Sequence, residues 1–146
     1  MPYDILSNDH LQEYNDILSK SSMSTCMYEH QVEHSLIAGD LNTDLSRIQS
    51  GNTISLSSFV DNENLAFALK TIPTKVSHTY TGIRQSKSLI DHFIVSQNVA
   101  KYIINYYVQD SVDNLSDHIP LYCSISCSME CTIYVQRRCT KNSKPQ

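Results

Sequence analysis

Leu36-Ile37-Ala38-Gly39-Asp40-Leu41-Asn42 is a short apolar run that stops at a glycine and then presents a carboxylate and a carboxamide two residues apart. The run predicts a buried strand over Ser35–Ala38, and Gly39 lets the backbone turn with no side chain in the way. Asp40 and Asn42 are then expected at the carboxyl end of that strand, where open α/β sheets place their ligands. Two later stretches repeat this pairing of apolar strand and polar terminus: Ser88-Leu89-Ile90-Asp91-His92-Phe93-Ile94-Val95-Ser96 and Ser116-Asp117-His118-Ile119-Pro120-Leu121. Each alone has an ordinary explanation. Asp40 with Asn42, or Asp117 with His118, is also what a turn or a helix cap looks like. Asp91 is harder to dismiss, because an unpaired carboxylate inside an apolar strand is costly and demands a partner. His118 is the best candidate for it.

The chain of 146 residues suits one domain with a moderate core. No apolar run approaches the roughly 20 residues needed to cross a bilayer. The five cysteines, Cys26, Cys123, Cys127, Cys131 and Cys139, form no paired framework, which favours reduced packing thiols in an intracellular compartment. The net charge of −4 conceals an asymmetry: residues 1–64 hold ten acids against Lys20 and Arg47, whereas residues 65–146 hold nine Lys/Arg against five acids. A polyanion is therefore expected against the second half, with Arg84 and Lys87 in a polar loop as candidate phosphate contacts. The competing reading is a solvated surface.

In chain order, Met1-Pro2-Tyr3-Asp4 reads as the end of a strand or a turn. A helix is expected over 9–20, extending toward 31, with Asp9 and Gln12 as a capping box and Leu11, Tyr14, Ile17 and Leu18 on one face. Thr43 to Arg47 reads as one helical turn. A short helix and a strand-like turn follow over 54–68, with Phe59, Leu65, Phe67 and Leu69 in the core. Strands are expected at 79–81, 89–95, 102–108 and 119–127, the last with Ile119, Leu121, Cys123, Ile125 and Cys127 on one face. Asp91 is placed inside its strand, and His92, facing the other way, is read as surface or packing. Residues 129–146 are polar and expected to be disordered.

In order and spacing, Gly39 to Asn42, Ser88 to Asp91 and Ser116 to His118 resemble the last three motifs of the endonuclease/exonuclease/phosphatase superfamily. Ile37 to Arg47 and Asn114 to Leu121 are most similar to the apurinic-type endonuclease domain of non-LTR retrotransposons. The resemblance covers residues 1–128 and implies an α/β fold: half of a four-layer α/β sandwich, its mostly antiparallel sheet flanked by helices. It implies Mg²⁺-dependent cleavage of DNA phosphodiester bonds. Asp40 resembles the carboxylate that positions and deprotonates water, and Asn42 the amide that holds the scissile phosphate. His118 resembles the donor to a phosphate oxygen, Asp91 the carboxylate that orients it, and Asp117 a metal-site acid. Thr79 and Tyr80 fall where the family has a polar strand beneath the DNA.

The family's first-half metal ligands have no counterpart in this chain, which looks like the second half of such a domain. The missing N-terminal half is therefore an expected partner alongside DNA, and the chain alone is expected to be inactive and poorly stable. A functional retrotransposon protein would place it in the nucleus. The other readings are a catalytically inactive remnant and a phosphatase of the same superfamily, against which Thr43 to Arg47 argues.

Overall fold

The structure, a computed structural model, describes residues 8–28, 34–111 and 113–126. Met1 to Asp4, the extension of the first helix past Tyr28 and residues 129–146 lie outside them.

Helix α1 spans Asn8–Tyr28. Its Tyr14 and Leu18 pack against the core, as their spacing on one face requires. Ile17, expected on that face, is instead 54% exposed. Strand β1 is Leu36–Asp40, so Gly39 and Asp40 belong to the strand. Gly39 has φ +143°, a conformation that L side chains rarely adopt. Thr43 to Arg47 forms turns, with no helix, because the backbone bonds run from Arg47 N–H to Asp44 O and from Ser50 N–H to Arg47 O.

Helix α2 is Gly51–Asn62 and passes close to α1: a Cβ at Gly51 would lie 3.2 Å from the Leu11 methyls. Strand β2 (Leu65–Phe67) and a 3-10 turn at Ala68–Lys70 follow. The hairpin β3 (Tyr80–Thr81) and β4 (Lys87–Ser88) leads into β5 (Asp91–Ser96). A single turn α3 (Gln97–Ala100), β6 (Ile103–Val108) and β7 (Leu121–Ile125) complete the described chain.

The architecture is mixed α/β with antiparallel sheets and few helices. The strands divide into three hydrogen-bonded groups, β1-β5-β2, β3-β4 and β6-β7, with every described pairing antiparallel. β5 lies between β1 and β2, and its side-chain alternation separates two cores. Ile94 joins Phe67, Leu65 and Ile37 under Leu56, Phe59 and Val60 of α2. Phe93 and Val95 point the other way, to Ile103 and Tyr106 of β6 and to Leu121, Cys123 and Ile125 of β7. Leu69 is only partly buried, against this second cluster. The Cys123 thiol belongs there too, and burial raises its pKa.

Candidate active site

Asp91 is the first residue of β5, not an interior one, and Asp40 is the last of β1; the two are direct partners in the ladder. Both therefore lie at one end of the sheet, on the face away from the helices. Chain reversal brings His118 to the same place, through an isolated antiparallel bridge between residues 80 and 118. The local order is dense. His118 N–H donates to Ser116 Oγ at 3.1 Å, Ser116 N–H to Asn114 Oδ1 at 3.1 Å, and Asn114 Nδ2 to the His118 carbonyl at 2.8 Å. Asn114 and Ser116 thus fold the loop that presents the imidazole, a common use of Asn and Ser in turns.

His118 Nδ1 donates to Asp91 Oδ2 at 2.9 Å, and its Nε2 lies 3.9 Å from Asp40 Oδ2. Partial burial pulls the imidazole pKa down. The Asp91 hydrogen bond and the charges of Asp91, Asp40 and Asp117 outweigh it, so the pKa stands above the ordinary value. The Tyr80 ring is tilted against the imidazole, 5.1 Å between centroids. Asp40 Oδ1 accepts the Asn42 N–H at 2.8 Å, and Asn42 takes a left-handed φ of 49°. Asp117 is exposed beside His118, and its carbonyl accepts the Thr81 N–H at 2.9 Å. Arg84 and Lys87 are exposed on the β3–β4 hairpin, which that bond attaches to the site.

Asp40, Asp91 and His118 thus meet at one end of the sheet, with Asn42 joined to Asp40 through its backbone N–H and Asp117 next to His118 in the chain. The family model for endonuclease-reverse transcriptase matches residues 8–122, which contain all of them. This chain belongs to the endonuclease-reverse transcriptase family. The fold agrees: the chain is similar to the crystal structure of an AP endonuclease from Leishmania major, with a TM-score of 0.50 and 18% identity. That similarity covers 59% of this chain and 33% of the other, so the chain spans about a third of that enzyme's length. No curated protein matches the chain.

Two buried side chains support the site in ways the sequence did not indicate, one of them Thr79, expected on a polar strand beneath the DNA. Thr79, fully buried, accepts the Ile90 and Asp91 N–H groups on its hydroxyl at 3.3 and 3.2 Å. His92, half-assigned to the surface, is 1% exposed and donates from Nε2 to the Thr43 carbonyl at 2.7 Å. Strand alternation opposite Asp91 was the sequence signal for the buried position of His92, and it bears on Thr79 not at all.

The metal set is less complete. Among the described residues, no group of three or more His, Cys, Asp and Glu could hold an ion. Asp91 is committed to His118 and one Asp40 oxygen to the Asn42 amide. A hard cation wants several oxygen ligands, and these residues alone do not supply them. Nor, among the described residues, is any helix long and apolar enough to cross a membrane.

Proposed function

We propose that this chain carries the histidine-bearing side of a DNA endonuclease site, cleaving phosphodiester bonds by attack of water. The observation behind the reading is the continuous Asp91–His118–Asp40 arrangement, with one imidazole held between two carboxylates. Asp91 fixes the Nδ1–H tautomer, which leaves Nε2 facing the cleft. Protonated, Nε2 donates to a phosphate oxygen and stabilises the charge that develops as the oxygen of water bonds to phosphorus and the leaving oxygen departs. Asp40, whose Oδ2 makes no hydrogen bond to the ring at 3.9 Å, takes the water's proton. Asn42, presented by its left-handed turn, holds a phosphate oxygen, and Arg84 with Lys87 contacts the flanking backbone.

Mg²⁺ belongs to this reading through the family. Asp117 is the described residue offered to it, and further ligands are required from an N-terminal half of the domain, supplied in a longer chain or in trans. No step above depends on the ion. The retrotransposon origin rests on the same resemblance.

The test is nicking of supercoiled plasmid by the 146-residue chain, alone and joined to a family N-terminal half, with Mg²⁺ and with EDTA. EDTA-sensitive nicking is expected from the joined form. Asp40→Ala and His118→Ala should each lower it by about 10²–10⁴ with DNA binding kept. A variant that nicks like its parent removes that residue from the chemistry.

A further inference from the structure

His92 follows Asp91 directly, yet it points to the opposite face of β5, into the helical core. It is 1% exposed, with the edge of the Phe67 ring against it at 6.0 Å between centroids. Its Nδ1 is buried without a hydrogen-bond partner. A side chain present only to fill space would avoid that orphan nitrogen, because a buried polar atom left without a partner is destabilising. What the ring does make is one short bond, from Nε2–H to the Thr43 carbonyl at 2.7 Å.

That carbonyl sits just beyond Asn42. The Leu41 N–H donates to Ile90 O at 2.9 Å, and the Thr43 hydroxyl donates to Leu41 O at 2.8 Å. The phenol of Tyr14 on α1 bonds the same hydroxyl at 2.7 Å. The Thr43 hydroxyl thus reaches back across Asn42 to the Leu41 carbonyl, and Thr43 is itself tied to Tyr14 and His92, while Asn42 keeps a φ of 49°. Asparagine enters the left-handed region more readily than other non-glycine residues, and neighbouring hydrogen bonds decide whether it stays there. Four side chains bear on it: Asp40, which accepts the Asn42 N–H, and Thr43, Tyr14 and His92, which fix the next residue.

We infer that His92 is a positioning residue, holding the Thr43 carbonyl from beneath so that Asn42 stays in the left-handed turn that presents its amide to the cleft. The inference rests on the proposed role of Asn42 for its functional consequence, but its geometric content stands alone. One strand then serves both sides of the site, with Asp91 orienting His118 on the cleft face and His92 orienting Asn42 through the core. A misplacement of about 1 Å in such a group can cost on the order of 10²-fold in rate.

The test uses the full chain, isotope-labelled for NMR. In the parent, the His92 Nε2–H proton should exchange slowly, and the Asn42 Cα and amide shifts should report the left-handed turn. His92→Leu, which fills the space without a donor, should move the Asn42 and Thr43 resonances toward random-coil values while Ile94, Leu56 and Phe59 keep theirs. His92→Gln, which carries an amide donor of similar reach, should restore the parental pattern. His92→Asn, polar but too short, should resemble His92→Leu and serves if the leucine variant does not fold. In whichever form nicks DNA, His92→Leu should lower kcat by about tenfold or more with KM little changed, and His92→Gln should recover it. Unchanged Asn42 shifts in both donor-free variants, or a glutamine variant as damaged as the leucine, would overturn the inference. If the parent does not nick DNA in any form, the functional reading falls, and the Asn42 shifts decide this one by themselves.

Discussion

Asp40 and Asp91 stand directly opposite one another in the β1–β5 ladder, two carboxylates facing each other at the end of the sheet. Like charges so placed are destabilising. His118 lies between them, 2.9 Å from Asp91 and 3.9 Å from Asp40 through its two nitrogens. The repulsion is offset when the ring is protonated, and the same carboxylates hold its pKa above the ordinary value. Pairing the two acids in register therefore places the imidazole between two carboxylates and favours its protonated form.

Asp91→Asn should lower the His118 pKa, because it replaces the closest charge with a neutral amide whose oxygen accepts a weaker hydrogen bond. Asp40→Asn should lower it less, since that oxygen is farther away. An NMR titration of the His118 ring protons measures both. An unmoved pKa in Asp91→Asn would show that the 2.9 Å contact does not persist in solution.

Much of this arrangement was legible in the sequence. Asp91 stood out because a carboxylate inside an apolar run is costly if unpaired, with His118 as its expected partner, and the structure puts the two 2.9 Å apart. The alternation of Leu121, Cys123 and Ile125 located their common inner face. Less was legible where tertiary packing decides. Ile17 obeys the helical period but lies at the edge of the stripe that α2 covers, so it stays exposed. Thr43 to Arg47 had helix-like spacing, but Asp44 captures the backbone N–H and the hydroxyl of Ser46 at 3.0 and 2.7 Å. Local side-chain bonds of this kind compete with helix. His92 could not be assigned because its partner, a backbone carbonyl 49 positions away, leaves no mark in the sequence.

The core that carries the site should be sensitive at Leu56. Its side chain is fully buried between α2 and the β1-β5-β2 sheet, against Phe59, Val60, Leu65, Phe67 and Ile94. Leu56→Ala should cost about 2–5 kcal/mol, the lost transfer energy plus the cavity left behind. Chemical denaturation of parent and variant measures it. A loss much below that range would mean that the helices and sheet collapse onto the gap.

DNA binding should depend on salt through the β3–β4 hairpin. If Arg84 and Lys87 each neutralise a phosphate, the double alanine variant should flatten the plot of log K against log salt by about 2 in slope, roughly 0.9 per contact. Binding to unrelated duplexes should weaken alike, because phosphate contacts carry no sequence information. Fluorescence anisotropy over a salt series provides the slopes. Identical slopes for parent and variant would return both cations to the solvated surface.

Stability should depend on pH through two histidines of opposite sign. Burial lowers the His92 pKa, and its bond to the Thr43 carbonyl and the charges of Asp91, Asp44 and Asp40 do not make up the difference. The unfolded chain then takes up this proton more readily than the folded one. The stability that His92 contributes is complete above the unfolded imidazole value of about 6.5 and falls as pH drops toward its folded value. His118 runs the other way: its folded pKa is raised, so its contribution is complete below that same unfolded value and is lost as pH rises through the folded one. The ring buried in the core should dominate over the half-exposed one, because solvent screens the latter. Thermal midpoints should therefore fall on acidification from about pH 7 to about pH 5, through the imidazole range. His92→Gln removes the titrating group but keeps a donor, and should flatten that acid limb while leaving the alkaline side in place. His118→Ala should do the reverse. An acid limb of equal steepness in parent and His92→Gln would assign acid sensitivity to the carboxylates instead of the buried imidazole.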